Sequence, residues 1–423
     1  AGLGMLAEQH LTVPTDKGAN AGWKVTSLVG GMVAGADSID DMRLLRHGGM
    51  GRLFARIYSP STLGSFLRSF RFGHVRQLDA VAARFLAGLA ARSPLLAGAG
   101  TVLVDVDDTI VEVHGYAKQG AGFGYSKVRG LNALLATAAS AESAPVVVAQ
   151  RLRRGAANSA RGAKRLVGDA LKTVARVTPG RSVLLRADSA FYGRDIIGAA
   201  TRAGVQVSVT VKQDVRVKAA IGGIAEDAWT PIAYRDAVYD QSSGRWVSRA
   251  EVAEIAYVAF AARSKAQQVP GRLVVRRIPE LNPNGQDGLF HLWRYHAFFT
   301  TSSLDTAAAD RTHRGHAIIE QVHADLKNSA LAHLPSGTFT ANAAWLVLAV
   351  LAFNLTRAAA ALSGRQLATA TTGTIRRTLI VVPARIASSA RRVVLHLPRA
   401  WPWQQAWTLL LRRACAPPGQ GAT

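Results

Sequence analysis

Cysteine is nearly absent: Cys415 is the only thiol in 423 residues. One thiol builds neither a disulfide framework nor a Cys-based zinc site within one chain, and a reducing cytoplasm is the expected setting. Long apolar runs are missing too. The longest, AAWLVLAVLAFNL at 343–355, has 13 residues, short for a bilayer and suited to a buried helix. No basic-then-apolar leader opens the sequence, and no internal repeat or long low-complexity tract is visible. Negative charge is scarce. Asp and Glu total 27 against 51 Lys and Arg, a surplus of 51 − 27 = 24. Lysine is itself rare, at ten, which leaves 51 − 10 = 41 arginines. A GC-rich genome favours arginine over lysine but does not remove acids. A small-molecule enzyme has no need of such a surplus. It points to a polyanion, nucleic acid above all, and arginine suits bidentate phosphate contacts.

What is present changes character along the chain. Residues 1–98 read as a mostly helical domain. SIDDMRLLRHGGM and STLGSFLRSFRFGHVRQLDAVAARFLAGLAARS carry helical apolar spacing, with Arg68, Arg71, Arg76 and Arg84 between. Ser61, after Pro60, is a candidate helix start. A basic helical domain suits DNA binding, and equally a packing domain with a solvated face. Across 99–211, TVLVDVDDTIVEV, APVVVAQRL (144–152), RSVLLRAD (181–188) and VQVSVTV (205–211) read as strands, with a Gly-rich stretch holding Tyr116, Tyr125 and Lys127 after the first. Residues 156–177 and GRDIIGAATRAG read as helices. That order predicts an α/β sheet with helices packed on it. Residues 212–300, with EVAEIAYVAF, GRLVVRRI, YHAFFTT and a turn-rich NPNGQDG, read as a β-rich insertion. Helices resume in 301–365, at 311–328 and 341–362. The tail, 366–423, has eight Arg and no Asp or Glu.

In VDVDDTIVEV (104–113) an apolar strand runs into Asp105, Asp107 and Asp108. Carboxylates so close repel one another and resist desolvation, so positive charge must face them. Asp188 ends a second strand, 188 − 107 = 81 residues on, and Glu320 lies in a later helix, 320 − 188 = 132 residues further. Neighbouring strands would bring the two Asp side chains together, and the helix could pack beside them. Three carboxylates from distant segments suit two Mg²⁺ or Mn²⁺ ions. Such ions take hard oxygen ligands and, about 4 Å apart, can activate an attacking oxygen and stabilise a leaving one. The plainer readings are a cap or turn at Asp188 and a solvated face at Glu320. His313, His316, Glu320, His323 and Lys327 are spaced by three, four, three and four, so they would line one side of a helix. That side could be a hydrated face or, through its histidines and glutamate, a zinc site.

These blocks resemble the DDE transposases of bacterial insertion sequences, in particular the insertion sequence 1380 group. DDMRLLRHGG, PSTLGSFLRSFRFGHVRQLD and GYSKVRGLNALLA are similar to that family's early blocks. VDVDDT is similar to its first Asp-x-Thr motif, RADSAFYG to its second, and HRGHAIIEQVHADLK to its third, while ANAAWLVLAVLAFNL and WPWQQAW are similar to its C-terminal segments. The resemblance implies a ribonuclease H-like mixed sheet with flanking helices, interrupted by the β-rich insertion and preceded by the helical domain. It implies Asp107, Asp188 and Glu320 as catalytic metal ligands. It further implies terminal inverted repeats and target sites on double-stranded DNA as substrate, a homodimer or higher multimer on that DNA, and residence at the bacterial nucleoid. The superfamily's Tyr–x–x–Arg–x–x–x–Glu–x₆–Lys signature stands here with His313 at the Tyr position and His316 at the Arg position, before Glu320 and Lys327. Lys327, His316, His313, Arg314 and Lys127 are the expected phosphate contacts.

Two other readings compete. DVDDT also resembles the nucleophile motif of haloacid dehalogenase phosphatases, with Asp105 attacking phosphate and Asp107 as general acid. The later acidic pair that fold needs is missing, since GDALK at 168–172 is followed by Thr173. The other is a non-catalytic DNA-binding protein that uses only the charge.

Overall fold

The computed structural model describes residues 1–240, 245–279, 293–389 and 392–416. The NPNGQDG loop, 282–288, lies outside the described residues. Five helices come first: α1 (Leu3–His10), α2 (Thr15–Gly18), α3 (Ala21–Ala34), α4 (Pro60–Arg68) and α5 (Phe72–Ala90). Strands β1 (Val102–Glu112), β2 (Gly122–Phe123), β3 (Arg129–Ser140) and β4 (Ser143–Arg154) follow. Next are α6 (Ala163–Val177), β5 (Val183–Ala187), α7 (Arg194–Arg202), β6 (Gln206–Thr210) and α8 (Val215–Gly222). Four strands come after α8: β7 (Thr230–Asp240), β8 (Arg245–Ala259), β9 (Val269–Pro279) and β10 (Trp293–Thr300). The remainder is α9 (Thr306–Arg314), α10 (Ile318–Lys327), α11 (Phe339–Leu362), α12 (Arg365–Ala368), α13 (Thr372–Ile375), the hairpin β11 (Arg385–Ser389) and β12 (Arg392–His396), and α14 (Gln404–Cys415).

The chain forms two compact units. The first holds residues 1–102, 107–182 and 318–423, and the second holds 103–106 and 183–317. The N-terminal helices, the first long strands and the helix of Glu320 share one unit. In that unit β3 pairs antiparallel with β2 and β4 and lies next to β1. The helix α11 is its core, packed against α3, α5 and β4. By length and composition α11 could cross a bilayer, more than the 13-residue run implied, yet most of it is buried within the protein. Trp345 is completely buried, and its Nε1 donates to the Ala330 carbonyl at 2.7 Å. Asn354 looks misplaced in so apolar a helix. Its partner explains it. The β3–β4 register skips one residue of β4 between Ala136↔Ala149 and Thr137↔Val147. Such a bulge leaves backbone groups without a ladder partner. The Asn354 amide accepts from Val147 N at 2.9 Å and donates to Val147 O at 2.8 Å.

At the start of α4 the cap is Ser59, not Ser61: the Ser59 hydroxyl accepts from Thr62 N, and Pro60 occupies the first turn. Proline has no N–H to lose there and its φ is already helical, so the cap falls one residue before it.

In the second unit β5 and β6 run parallel, joined through α7, and β1 lies beside β5. With β3 antiparallel to β4 and β5 parallel to β6, the strands make a mixed α/β sheet. The β-rich stretch does not stand apart from β6. It continues outward in the order β10, β9, β8, β7, with Phe298 opposite Thr210 where β10 meets β6. A bare β6 edge would expose a row of unpaired N–H and C=O groups, and β10 covers it.

Candidate active site

Strand β1 alternates its side chains between faces, so Asp105 and Asp107 share one face and Asp108 takes the other. In the second unit Asp105 is fully buried. The Arg186 guanidinium meets it with both prongs, Nε to Oδ1 and Nη2 to Oδ2, each at 2.7 Å. His316 Nδ1 lies 3.0 Å from Asp105 Oδ1, and since a carboxylate only accepts, that nitrogen carries the hydrogen. A nucleophile needs room for substrate. Asp105 has none, and this removes the phosphatase reading.

In the first unit Asp108 is held by Arg153 Nη2 at 2.7 Å and by the Asn132 amide. Arg153 also donates to Asn132 Oδ1 and to the carbonyls of Asn158, Ser159 and Arg161, at 2.6–3.1 Å. It pins the turn before α6 while neutralising Asp108. Asp107 precedes Asp108 in the first unit. Its carboxylate accepts from Asp108 N at 2.8 Å, and Oδ2 lies 3.8 Å from His323 Nδ1 of α10. His323 is three residues beyond Glu320 on that helix. The helix bearing the expected third carboxylate therefore packs at the expected first one, within one unit.

The stretch 311–328 is not one helix. It breaks at Gly315–Ala317, a 3₁₀ turn between α9 and α10. Arg186 Nη1 donates to the Thr312 carbonyl, and a Cβ on Gly315 would stand 2.8 Å from that same nitrogen. Only glycine lets the guanidinium pass so close. The break parts His313, on α9, from Glu320, His323 and Lys327, on α10. His313 hydrogen-bonds Ser208 Oγ at 2.9 Å and Thr210 Oγ1 at 3.0 Å, and stacks on Phe298 at 4.0 Å. Burial, reinforced by the charges of His316, Arg186 and Arg276, brings its pKa down to about 3. A neutral ring with both nitrogens occupied offers a phosphate nothing. His316 is turned to Asp105. Arg314 donates through Nε to Asp310 Oδ2 at 2.8 Å, and Arg276 reaches the other oxygen of this buried aspartate at 2.7 Å.

The remaining expected residues are accessible. Asp188, directly after β5, is exposed and caps a 3₁₀ turn by accepting from Ala190 N at 2.9 Å. Glu320 is exposed in the first turn of α10, where the helix dipole favours a negative charge. Lys327 is half-buried in the last turn, and burial lowers its pKa. Lys127 is exposed in a turn. Carboxylate oxygens are the hard donors a divalent cation takes. Among the described residues, no group of three or more His, Cys, Asp or Glu side chains forms a ready metal cluster.

Arg186 and Arg153 answer the charge problem that VDVDDTIVEV raises, and neither was singled out in the sequence. The signal for Arg186 was available: a lone arginine inside VLLRA, an otherwise apolar strand, must carry a buried partner.

A family model described as "Transposase DDE domain group 1" matches residues 24–415. Among solved structures, the chain is similar to that of the piggyBac transposase synaptic complex with hairpin DNA, with 11% identity, 94% of this chain and 73% of that chain covered, and a TM-score of 0.40. No curated protein matches the chain.

Proposed function

The chain belongs to the transposase DDE domain group 1 family and is a metal-dependent DNA transposase, and from that premise we propose that it moves an insertion sequence of the 1380 group by cut and paste. Asp107, Asp188 and Glu320 would hold two Mg²⁺ or Mn²⁺ ions. When bound, such ions lower the pKa of an attacking oxygen and offset charge on a leaving one. The protein would bind the terminal inverted repeats of its element as a dimer or higher multimer, in the bacterial cytoplasm at the nucleoid. Water cuts the element's ends, and the freed 3′-hydroxyl then attacks target DNA in line, with no covalent enzyme–DNA bond. Lys327 grips the backbone near the cut and Lys127 is a further phosphate contact, both positioning without reading sequence.

The observation that carries this reading is the setting of Asp107. Asp107 lies 3.8 Å from His323, which is on the helix that carries Glu320. The test is cleavage of DNA bearing the repeats that flank the gene. The protein should nick it with Mg²⁺ or Mn²⁺ and not with EDTA, and binding should weaken steeply with salt. Cutting that persists in EDTA removes the metal-carboxylate mechanism.

A further inference from the structure

The stretch between β1 and β3 is not absorbed by the catalytic assignment, and it carries an unusual surface. Tyr116, Phe123 and Tyr125 are 95%, 66% and 103% exposed. Three exposed rings within ten residues of one another in sequence make this stretch a candidate interaction site. Basic side chains interleave with them. The Arg129 guanidinium lies 5.3 Å from the Tyr116 ring centroid and donates to the Gly115 carbonyl. Phe123 stands directly opposite Arg129 in the β2–β3 ladder. Tyr125 sits in the turn that connects those strands, closed by Lys127 N donating to Gly124 O at 3.0 Å, and Lys127 adopts a left-handed φ of 57°.

This surface is braced. A Cβ on Gly155, after β4, would fall 2.1 Å from Gly130 O and 2.3 Å from Gly122 O. One on Gly124 would fall 2.6 Å from Gly155 O. The backbones of the hairpin and of the end of β4 therefore touch, which gives the hairpin that carries Phe123 and Tyr125 a firm base. Lys127, two residues after Tyr125 in sequence, adopts a left-handed conformation that costs it more than it would a glycine.

We infer that Tyr116, Phe123 and Tyr125 form a stacking platform for unpaired DNA bases, with Arg129 and Lys127 contacting the adjoining phosphates. Exposed aromatics alternating with cations are what single-stranded nucleic acid recognition uses, because every base has a π-face. The inference rests on the transposase reading and deepens it. The patch lies in the same unit as Asp107, on the outgoing end of the same strand, where Val113 N meets Arg129 O at 3.1 Å. From Asp107 to Val113 is 113 − 107 = 6 residues, roughly 20 Å of strand, or about six nucleotide steps of B-form DNA. Bases splayed at about that distance from the cut phosphate are the expected ligand.

The experiment compares fluorescence anisotropy of a labelled oligothymidine and of the fully paired repeat duplex. The triple variant Tyr116→Ala/Phe123→Ala/Tyr125→Ala should bind oligothymidine at least tenfold more weakly and the duplex as wild type does. Tyr116→Phe/Tyr125→Phe should bind both as wild type, since rings stack without their hydroxyls. A triple variant that holds oligothymidine as wild type does overturns the platform, and so does one whose sedimentation shows a lost dimer with unchanged affinity, because the rings would then cover a second copy. Should the wild type fail to cut the repeat duplex while these affinities still differ, the transposase reading falls and the platform stands.

Discussion

The two halves of β1 hold their carboxylates in opposite ways. In the first half Asp105 is sealed, with both oxygens on a guanidinium that is itself 2% exposed. In the second half the Asp107 side chain keeps 22% of its surface in solvent and faces a helix that carries another carboxylate. Two residues along one strand separate an anchor from a candidate for chemistry. A buried ion pair repays its desolvation only when geometry and hydrogen bonding are complete, and Asp105 meets that condition by giving up access. Nearby residues of one type need not share a role, and depth tells these two apart.

The largest effect separates the halves directly. Asp107→Asn should lower strand cleavage about a hundredfold or more, with duplex affinity and urea midpoint close to wild type. Asp105→Asn should do the reverse and act through stability. If the Asp105 variant is as stable as wild type but cannot cut, the assignment of anchor and reactant is inverted. Next in size is Arg186→Met. It strands a buried aspartate and should cost about 3–5 kcal/mol in urea unfolding, with part of the loss recovered in the Asp105→Asn/Arg186→Met double variant.

A smaller effect tests how dry the region around Arg186 is. His313 is held at about 3 when folded, below its ordinary 6.5. The unfolded chain therefore takes up the proton first, so the contribution of His313 is complete above 6.5 and drains as the pH falls. The slope should reach at most about 1.4 kcal/mol per pH unit. His313→Gln should flatten the decline seen between about pH 6.5 and 5, and matching slopes for the two proteins would mean that the ring is wet. Smallest is Gly315→Ala. Its methyl would press on Arg186 Nη1, and a cost of about 1–3 kcal/mol in thermal or urea unfolding is expected. No cost would mean that the guanidinium can move aside without loosening Asp105.

Much of the sheet could be read from the sequence because its strands are rich in branched residues. VLVDV, PVVVA, SVLLRA and VQVSVT stand out against their surroundings, and β1, β4, β5 and β6 are where they are expected. The strand β3 was not legible. Its LNALLATAAS is built from alanine and leucine, good helix formers with little β preference, and only burial along nearly its whole length holds it extended. The helix expected over 311–328 failed at Gly315 for a complementary reason: the periodicity was sound, but the guanidinium that narrows the chain there comes from Arg186, 129 residues earlier (315 − 186 = 129). The compact units follow packing. The helix α11 draws the N-terminal helices and β4 into one body, although no shift in composition announces it.

Charge balance, the absence of a disulfide framework, the α/β alternation and the motif blocks around Asp107, Asp188 and Glu320 follow from the sequence alone, because each depends on residue type and short-range order. Which of three clustered aspartates would be buried, which arginines would neutralise them, and which histidines would be spent inside the protein were decided only on folding. Those outcomes depend on side chains far apart in the chain arriving at hydrogen-bond distance, and local sequence carries no record of that distance.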